Sequence, residues 1–554
     1  SWDFGDGGTS KVVSPLHVFA APGTFNVSLT LSNAAGETAK KTKAVTVAYA
    51  TTGTGDALTY LVPVLVRSAG AGGTNFGTEL TLTNRTPNVL NLTFTTKDGS
   101  STYSLGRGQE IYADAFDFLK RSTGLITPDG NVVTSLRIAV RGAQSLTDFG
   151  AQVRVTTPPN ADLRSQGIAG RFGLALPSYP LQTGAAKEAV LYGLQQTGDA
   201  GGSGSRSNVA CVHAGGGSLG SIRLEVAYHD GEAGHDAASK DTFDLAPFAF
   251  AQQNAPLTSR GIKNGWATIR RVSGDDQFVC YATILDNKNG DSSYVAMVKT
   301  DVKSKKSDAL LPVVVDTAGF KSELTIANRT QVALGGEFVV ITPTGETEFG
   351  EIDVAPSSQV IYPDIMSTLR ELGFTSVPPG SVASLFFTFE EATAGGVKEE
   401  GGTTFVSASD VFVGARTYAT KAGGLFGLAY PFSVLGDAAD DEAYVYGLQQ
   451  SGTRGQDGGT RSNLAVVHAL DGGNAPITLE ITYFDGNAQQ LGVQSVTLKP
   501  GQWMQINAPL ANYPGVTQGY ARIRRTAGTD EFFAYGVLND QANDDGSFVS
   551  MVIP

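Results

Sequence analysis

The sequence predicts an all-β protein, built as a tandem array of β-sandwich domains. Glycine provides 68 of the 554 residues, above the usual share of roughly 7%, which favours frequent turns. Apolar and polar residues alternate at residues 25–31 and 477–481, as they do in half-buried strands. Helical patterning is restricted to residues 114–120 and 364–372, and each stretch opens with an aspartate that can cap a first turn. Many short strands separated by turn signals are typical of β-sandwiches.

Composition and charge restrict the class of protein. With 53 acidic and 40 basic residues the net charge is −13, and no cluster of Lys or Arg offers the concentrated positive charge that nucleic acid binding requires. No run approaches the roughly 18–20 apolar residues of a membrane helix, and no basic-then-apolar leader opens the chain. We therefore expect a folded, soluble chain from which any signal peptide has already been removed, with no nucleic acid partner and no membrane span.

A large internal duplication organises the chain. Asn-Arg-Thr at residues 84–86 recurs at 328–330, and Tyr-Gly-Leu-Gln-Gln at residues 192–196 recurs at 446–450. These matches indicate two tandem copies of a unit of roughly 250 residues, which is too long for one sandwich. We therefore divide each copy into two predicted β-sandwich modules, named A1 and B1 in the first copy and A2 and B2 in the second. The predicted modules are A1 at residues 57–182, B1 at 187–300, A2 at 307–434 and B2 at 441–554.

Residues 1–49 stand apart from the duplication. They contain Trp-Asp-Phe-Gly-Asp-Gly at residues 2–7, His-Val-Phe at 17–19 and an alternating strand at 22–31. These motifs, in this order, resemble the PKD domain, an Ig-like sandwich common in secreted and surface proteins. The resemblance implies a tandem array of Ig-like and β-sandwich domains. Residues 50–56 indicate a short flexible linker, and the A and B modules resemble repeat modules of large secreted bacterial proteins, from which we infer no activity.

The predicted PKD domain begins at its tryptophan, although the family resembles a seven-stranded sandwich with one or two strands before that residue. We therefore expect a groove beside Trp2, Phe4, Phe25, Val27 and Leu29, in which apolar side chains lie next to unpaired backbone groups. A strand from another copy can fill this groove, as in donor-strand complementation. Head-to-tail repetition of such a contact propagates as a filament unless it closes into a ring.

Two acidic turns are candidate calcium sites. Asp286 and Asp291 lie in the first turn, and Asp540, Asp544 and Asp545 lie in the second. Calcium takes about six to eight oxygen ligands, and such turns can supply several of them. Neither turn follows the EF-hand spacing, however, and a hairpin explains the same composition without a metal. We predict no cofactor, with calcium as the alternative and the second turn as the better candidate.

The two cysteines leave two alternatives open. Cys211 and Cys280 both fall in B1, at positions where B2 carries Val466 and Ala534. These apolar counterparts predict inward-facing side chains. In an exported protein the cysteines can form a disulfide between the two sheets, but two buried free thiols also satisfy the packing.

The other candidates for chemistry favour structural interpretations. Gly-Gly-Ser-Leu-Gly at residues 216–220 matches the GxSxG pattern of serine hydrolases, but it joins two predicted strands, and not a strand and a helix. His213 and His468 occupy equivalent strand ends and lack the spacing of a zinc site. Sequons at Asn26, Asn84, Asn91 and Asn328 are predicted to mark exposed turns or strand ends, where glycosylation is permitted.

These features predict a non-catalytic extracellular structural protein, the subunit of a surface filament assembled head to tail by strand complementation of its first domain. The alternative is a monomeric cell-surface adhesin, or the carbohydrate-binding accessory region of a larger secreted protein, in which Trp503 and the tyrosines stack on sugar rings. The expected partners are further copies of the same chain, with glycans or a host or cell surface as the alternative.

Overall fold

The computed structural model is all-β, which confirms the predicted fold class. No helix in the described part of the chain has both the length and the apolar character needed to cross a membrane. The structure describes residues 1–5, 9–11, 23–33, 36–47, 58–70, 73–125, 130–198, 202–216, 219–232, 239–300, 308–391, 409–421, 424–430, 433–434, 438–470 and 475–554.

The described part of residues 1–47 forms one antiparallel sheet. Its strands are β1 (Trp2–Asp3), β2 (Thr9–Ser10), β3 (Gly23–Ser32) and β4 (Thr38–Val47). They lie in the order β2-β1-β3-β4. Trp2 of β1 lies opposite Leu29 of β3, and Phe25 of β3 lies opposite Val45 of β4. Within the described residues, β4 therefore pairs with β3 along its whole length, whereas β1 pairs with β3 at Ser28 and Leu29.

The first copy of the duplication contains the strands of A1 and B1. The strands of A1 are β5 (Leu58–Ala69), β6 (Asn75–Asn84), β7 (Leu90–Thr96), β8 (Gly99–Leu105), β9 (Gly108–Tyr112), β10 (Val132–Arg141), β11 (Phe149–Thr157), β12 (Phe172–Pro177) and β13 (Tyr179–Pro180). The strands of B1 are β14 (Glu188–Gln195), β15 (Ser205–Gly215), β16 (Ile222–Asp230), β17 (Ser239–Leu245), β18 (Phe250–Asn254), β19 (Asn264–Ser273), β20 (Gln277–Asp286), β21 (Ser292–Ala296) and β22 (Val298–Lys299).

The second copy repeats this order. The strands of A2 are β23 (Ala309–Val315), β24 (Lys321–Asn328), β25 (Leu334–Ile341), β26 (Thr347–Val354), β27 (Ser358–Tyr362), β28 (Val382–Glu391), β29 (Val411–Lys421), β30 (Gly424–Tyr430) and β31 (Ser433–Val434). The strands of B2 are β32 (Glu442–Ser451), β33 (Thr460–His468), β34 (Ile477–Asp485), β35 (Gln490–Leu498), β36 (Trp503–Ile506), β37 (Gln518–Ala527), β38 (Phe532–Asp540) and β39 (Gly546–Ser550).

Each module is a pair of antiparallel sheets around an apolar core. The sheets of A2 have the orders β26-β25-β28-β23-β31 and β27-β24-β29-β30, and those of A1 follow the same pattern but join where the ends of β5 and β6 pair. The sheets of B1 have the orders β17-β16-β19-β14-β22 and β18-β15-β20-β21, and those of B2, β35-β34-β37-β32 and β36-β33-β38-β39, join where the ends of β32 and β33 pair. Side chains from both sheets of a module meet in one buried cluster. This arrangement follows from the alternation of apolar and polar residues, which gives each strand one apolar face.

Short helices connect some of the strands. They are α1 (Ala115–Ser122), α2 (Ala161–Ser165) and α3 (Ile365–Glu371), with 3-10 turns at Leu146–Asp148, Leu181–Thr183, Thr258–Arg260 and Pro509–Asn512. Both predicted helical stretches are confirmed. Asp114 caps α1 by accepting a hydrogen bond from the Asp117 N–H at 3.0 Å, and Asp364 caps α3 in the same way from Ser367 at 3.1 Å.

The four modules close into a ring. A1 contacts B1 through Leu61 and Val212, and B1 contacts A2 through Tyr192 and Phe412. A2 contacts B2 through Tyr430 and Tyr535, and B2 contacts A1 through Tyr446 and Thr147. Across the middle, the rings of Phe172 and Phe426 pack edge to face with centroids 5.2 Å apart. Because these two phenylalanines are equivalent in the duplication, the ring has an approximate two-fold relation. The tandem order along the chain thus becomes a closed arrangement in space.

Candidate functional site

The repeated Tyr-Gly-Leu-Gln-Gln motif lies where B1 meets A2 and where B2 meets A1. Its glycine is Gly193 in B1 and Gly447 in B2, with φ of 71° and 75°, a conformation that glycine adopts without strain. The strand ladder skips this position, so the glycine N–H is available to another module. Gln359 of A2 accepts the Gly193 N–H at 2.8 Å, and Gln109 of A1 accepts the Gly447 N–H at 2.8 Å.

Other polar atoms of the same motif also contact the A module of the other copy. The Gln195 amide of B1 donates to Glu323 of A2 at 2.7 Å, and the Gln449 amide of B2 donates to Glu79 of A1 at 2.9 Å. The Tyr192 hydroxyl donates to the Ser409 carbonyl of A2 at 2.7 Å, and the Tyr446 hydroxyl of B2 donates to a carbonyl of A1. The motif is therefore an interface between modules, made twice.

The repeated Asn-Arg-Thr motif forms a buried turn, which corrects the sequon prediction for Asn84 and Asn328. Asn84 is fully buried, and its side-chain amide donates to the carbonyls of Asn88 at 2.8 Å and Leu105 at 3.1 Å. Asn328 is buried in the same way. An amide nitrogen that is enclosed and hydrogen bonded inside the fold has no room for a glycan, so these two sequons are not exposed acceptors. The adjoining Arg85 lies over the Tyr444 ring of B2 at 4.7 Å.

The second acidic turn contacts backbone groups of A1. Asp545 accepts the Gly173 N–H at 2.7 Å, and Asp540 accepts the Arg171 N–H at 3.1 Å. Asp544 lies within B2 and forms ion pairs with arginines of that module. Strand β12 of A1 is thus held by two carboxylates from the far end of the chain.

The first acidic turn makes the equivalent contacts with A2. Asp291 accepts the Gly427 N–H at 2.7 Å, and Asp286 accepts the Leu425 N–H at 2.9 Å. Within the described ranges, no group of three or more His, Cys, Asp or Glu side chains could hold a metal ion. The carboxylates serve as hydrogen-bond acceptors between modules, and calcium binding stays a prediction.

Cys211 and Cys280 form a disulfide within one sheet of B1. They lie opposite each other on β15 and β20, with their Cα atoms 4.1 Å apart. The expectation that a disulfide would link the two sheets is wrong, because the two strands are neighbours in the same ladder. In B2 the equivalent positions, Val466 and Ala534, also face each other.

The two equivalent histidines hold loops in place. With the proton assigned to Nε2, His213 donates to the carbonyl of Gly220 at 2.9 Å, and His468 donates to that of Ala475 at 3.1 Å. Burial lowers the pKa of both imidazoles, which favours the neutral form. In the stretch that matches GxSxG, residues 217–218 lie outside the described residues.

The predicted interface residues of the first domain share one face of its sheet. The register places Trp2 opposite Leu29, on the side of β3 that also carries Phe25 and Val27, and Phe4 follows two residues after Trp2. Phe4 is buried and the other four are half-buried. The backbone of β3 beside them pairs with β1 and β4. Strand complementation at this position stays a prediction.

Sequence reasoning missed the module interfaces, although a signal was present. The motifs at residues 192–196 and 446–450 indicate the duplication, and both also contain two consecutive glutamines. Consecutive polar residues that recur inside an apolar strand are unusual for a core. Their repetition was the feature that could have indicated a buried polar interface.

Comparison with known proteins supports the resemblance in the first domain. No curated protein matches the chain. Residues 1–48 match the family model of the PKD domain.

Proposed function

We propose that this chain is a non-catalytic extracellular structural protein in which A1, B1, A2 and B2 form one rigid body. PKD domains occur in extracellular proteins, and a PKD domain followed by several β-sandwich sheets suggests a structural or adhesive protein. PKD-type sandwiches are typically non-catalytic. The proposal therefore assigns the chain a mechanical role.

One observation carries this proposal. The hydrogen bonds from Gly193 to Gln359 and from Gly447 to Gln109 are equivalent and join the two copies crosswise. Each donor is a buried backbone N–H, and leaving such a group without an acceptor is costly. Polar residues that recur in the duplication are thus used to lock modules together, an arrangement suited to a rigid scaffold.

Small-angle X-ray scattering and negative-stain microscopy of the full chain test the rigid body. We expect a compact four-module particle with the first domain attached. An extended row of four separate beads would contradict the proposal. A panel of ester, peptide and glycoside substrates tests the absence of catalysis, with Ser218→Ala as the control variant. Turnover that this substitution abolishes would show that the chain is an enzyme.

The apolar face of the first domain favours assembly into a filament as a second candidate function. On β3, Leu31 extends the half-buried row that contains Phe25 and Leu29, and 60% of Leu31 is exposed. A second copy would pack on this face, because β4 pairs with the whole of β3 on one side and β1 pairs with Ser28 and Leu29 on the other. Microscopy of concentrated protein should then show fibres that Leu31→Lys prevents. Only single particles at every concentration would exclude this candidate.

A groove between A2 and B2 favours the adhesin alternative. It has a volume of about 480 Å³ and is lined by Trp503, Phe320 and Tyr430 together with the amides of Gln505 and Asn507. Aromatic faces and side-chain amides are groups that can stack on sugar rings and hydrogen bond to their hydroxyls. A glycan array compares wild type with Trp503→Ala. Binding that the substitution abolishes supports this alternative, and no binding by wild type opposes it.

A further inference from the structure

Asp291 and Asp545 occupy equivalent positions of the duplication and meet at the centre of the ring. Both are essentially inaccessible to solvent, with 0% and 1% of their surfaces exposed. In each residue one carboxyl oxygen, Oδ2, accepts a backbone N–H from the A module of the other copy, Gly427 for Asp291 and Gly173 for Asp545. These bonds orient the two carboxyl groups and leave one oxygen of each for another partner.

The two carboxyl groups are neighbours, because they accept the backbone N–H groups that follow Phe172 and Phe426, whose rings pack with centroids 5.2 Å apart. Neither the Asp291 Oδ1 nor the Asp545 Oδ1 has a hydrogen-bond donor in the described structure, and each of the two carboxyl groups acts electrostatically on the other. Ionised carboxylates are acceptors only. A hydrogen bond between two carboxyl groups therefore requires a proton on one of them, and two buried negative charges in contact would repel strongly.

The charged groups around the pair are also arranged symmetrically. Arg154 of β11 acts on Asp545 and donates to Ser547 at 3.2 Å, and Arg416 of β29 acts on Asp291 and donates to Ser293 at 2.9 Å. Further charges act on Arg154 itself, namely those of Glu79, Arg171 and Asp540. Each arginine can balance about one negative charge, and Glu79 and Asp540 compete for Arg154. The site therefore favours one negative charge on the aspartate pair over two.

We propose that Asp291 and Asp545 share a single proton that fastens B1 to B2 at the centre of the ring, so that the ring loosens when alkaline solution removes this proton. The pair then acts as a pH-sensitive lock between the two copies. The backbone amides of Gly173 and Gly427 should lose their protection against hydrogen exchange first, because they donate to these two carboxyl groups.

The direction of the pH dependence follows from the pair. Burial, more than any other cause, raises the pKa of Asp291 to about 7 and holds that of Asp545 well above its usual range. The ordinary pKa of aspartate is about 3.9. Since the folded-state pKa values are the higher ones, the stabilisation is complete below about pH 4 and is lost as the pH rises through about 7.

The test uses the full chain and the variants Asp545→Asn and Asp291→Asn. An asparagine amide can donate to the remaining carboxylate and so imitates the shared proton at every pH. Between pH 5 and 7, we expect the ratio of folded to unfolded wild-type chain to fall by up to about tenfold per pH unit. This fall should be larger than the change in the same ratio for either variant. Infrared spectroscopy should show a buried carboxylic acid in wild type that both variants lack.

Hydrogen exchange distinguishes the lock from general alkaline unfolding. After correction for intrinsic exchange rates, the β12 and β30 amides should lose protection above pH 7 in wild type and keep it in Asp545→Asn. Asp286→Asn serves as the matched control, because Asp286 is a buried aspartate of the same junction that accepts backbone N–H groups. It should retain the wild-type pH dependence. If wild type and both pair variants have the same pH profile, the shared proton is excluded.

Discussion

Replacing Gln109 and Gln359 by methionine tests the crossed contacts between the copies. Gln109 is 2% exposed, and its side-chain oxygen accepts the Gly447 N–H at 2.8 Å. Methionine has nearly the same length but offers only a weak acceptor, so the buried N–H loses its partner. An unsatisfied buried donor costs about 1–3 kcal/mol. Gln359→Met should lower the free energy of unfolding by a similar amount, because Gln359 accepts the Gly193 N–H at the same distance.

Urea denaturation, followed by tyrosine and tryptophan fluorescence, measures how much free energy of unfolding these variants lose. The two contacts share no residue, so the double variant should lose about 2–6 kcal/mol, the sum of the single losses. Gln331→Met is the matched control, since Gln331 is exposed in the same module as Gln359, and it should change the free energy of unfolding by less than about 0.5 kcal/mol. If the single variants at residues 109 and 359 change it no more than this control, the crossed hydrogen bonds do not hold the modules together.

Three further predictions follow from buried groups. Replacing Cys211 by Val and Cys280 by Ala, the pair found in B2, should keep the packing but lower the free energy of unfolding by about 2–4 kcal/mol, as measured without reductant. Phe172→Ala removes a buried ring packed on Phe426 and should cost about 3–5 kcal/mol in denaturation. Burial lowers the pKa of His468, so below about pH 6.5 this residue binds protons more readily in the unfolded chain than in the folded chain. The free energy of unfolding should therefore fall on acidification. His468→Gln should reduce this fall, as measured in acid titrations.

Local patterns predicted the elements of this protein well. The alternation at residues 25–31 lies in β3 and that at 477–481 lies in β34, because a strand with one buried face must repeat every two residues. Asp114 was predicted to cap a helix and does so. These features depend on residues close together in the chain, and so the sequence shows them directly.

The contacts between modules could not be predicted in this way. Gln109 and Gly447 are separated by 338 residues, and neither alternation nor turn signals indicate which surfaces meet. The two cysteines illustrate the same limit, since inward-facing positions were expected but the choice between neighbouring strands and opposite sheets depends on strand order. Asn84 looked like an exposed turn residue because its burial arises from the folding of the whole module.

The sequence by itself determined that the chain is all-β, that it is duplicated, and that it begins with a domain similar to PKD. Tertiary structure alone decided that the two copies cross, so that A1 packs on B2 and A2 packs on B1, and that Asp291 meets Asp545. The physical reason is that strand formation depends on side chains within a few residues. The burial of a polar interface depends on which distant surfaces exclude water together.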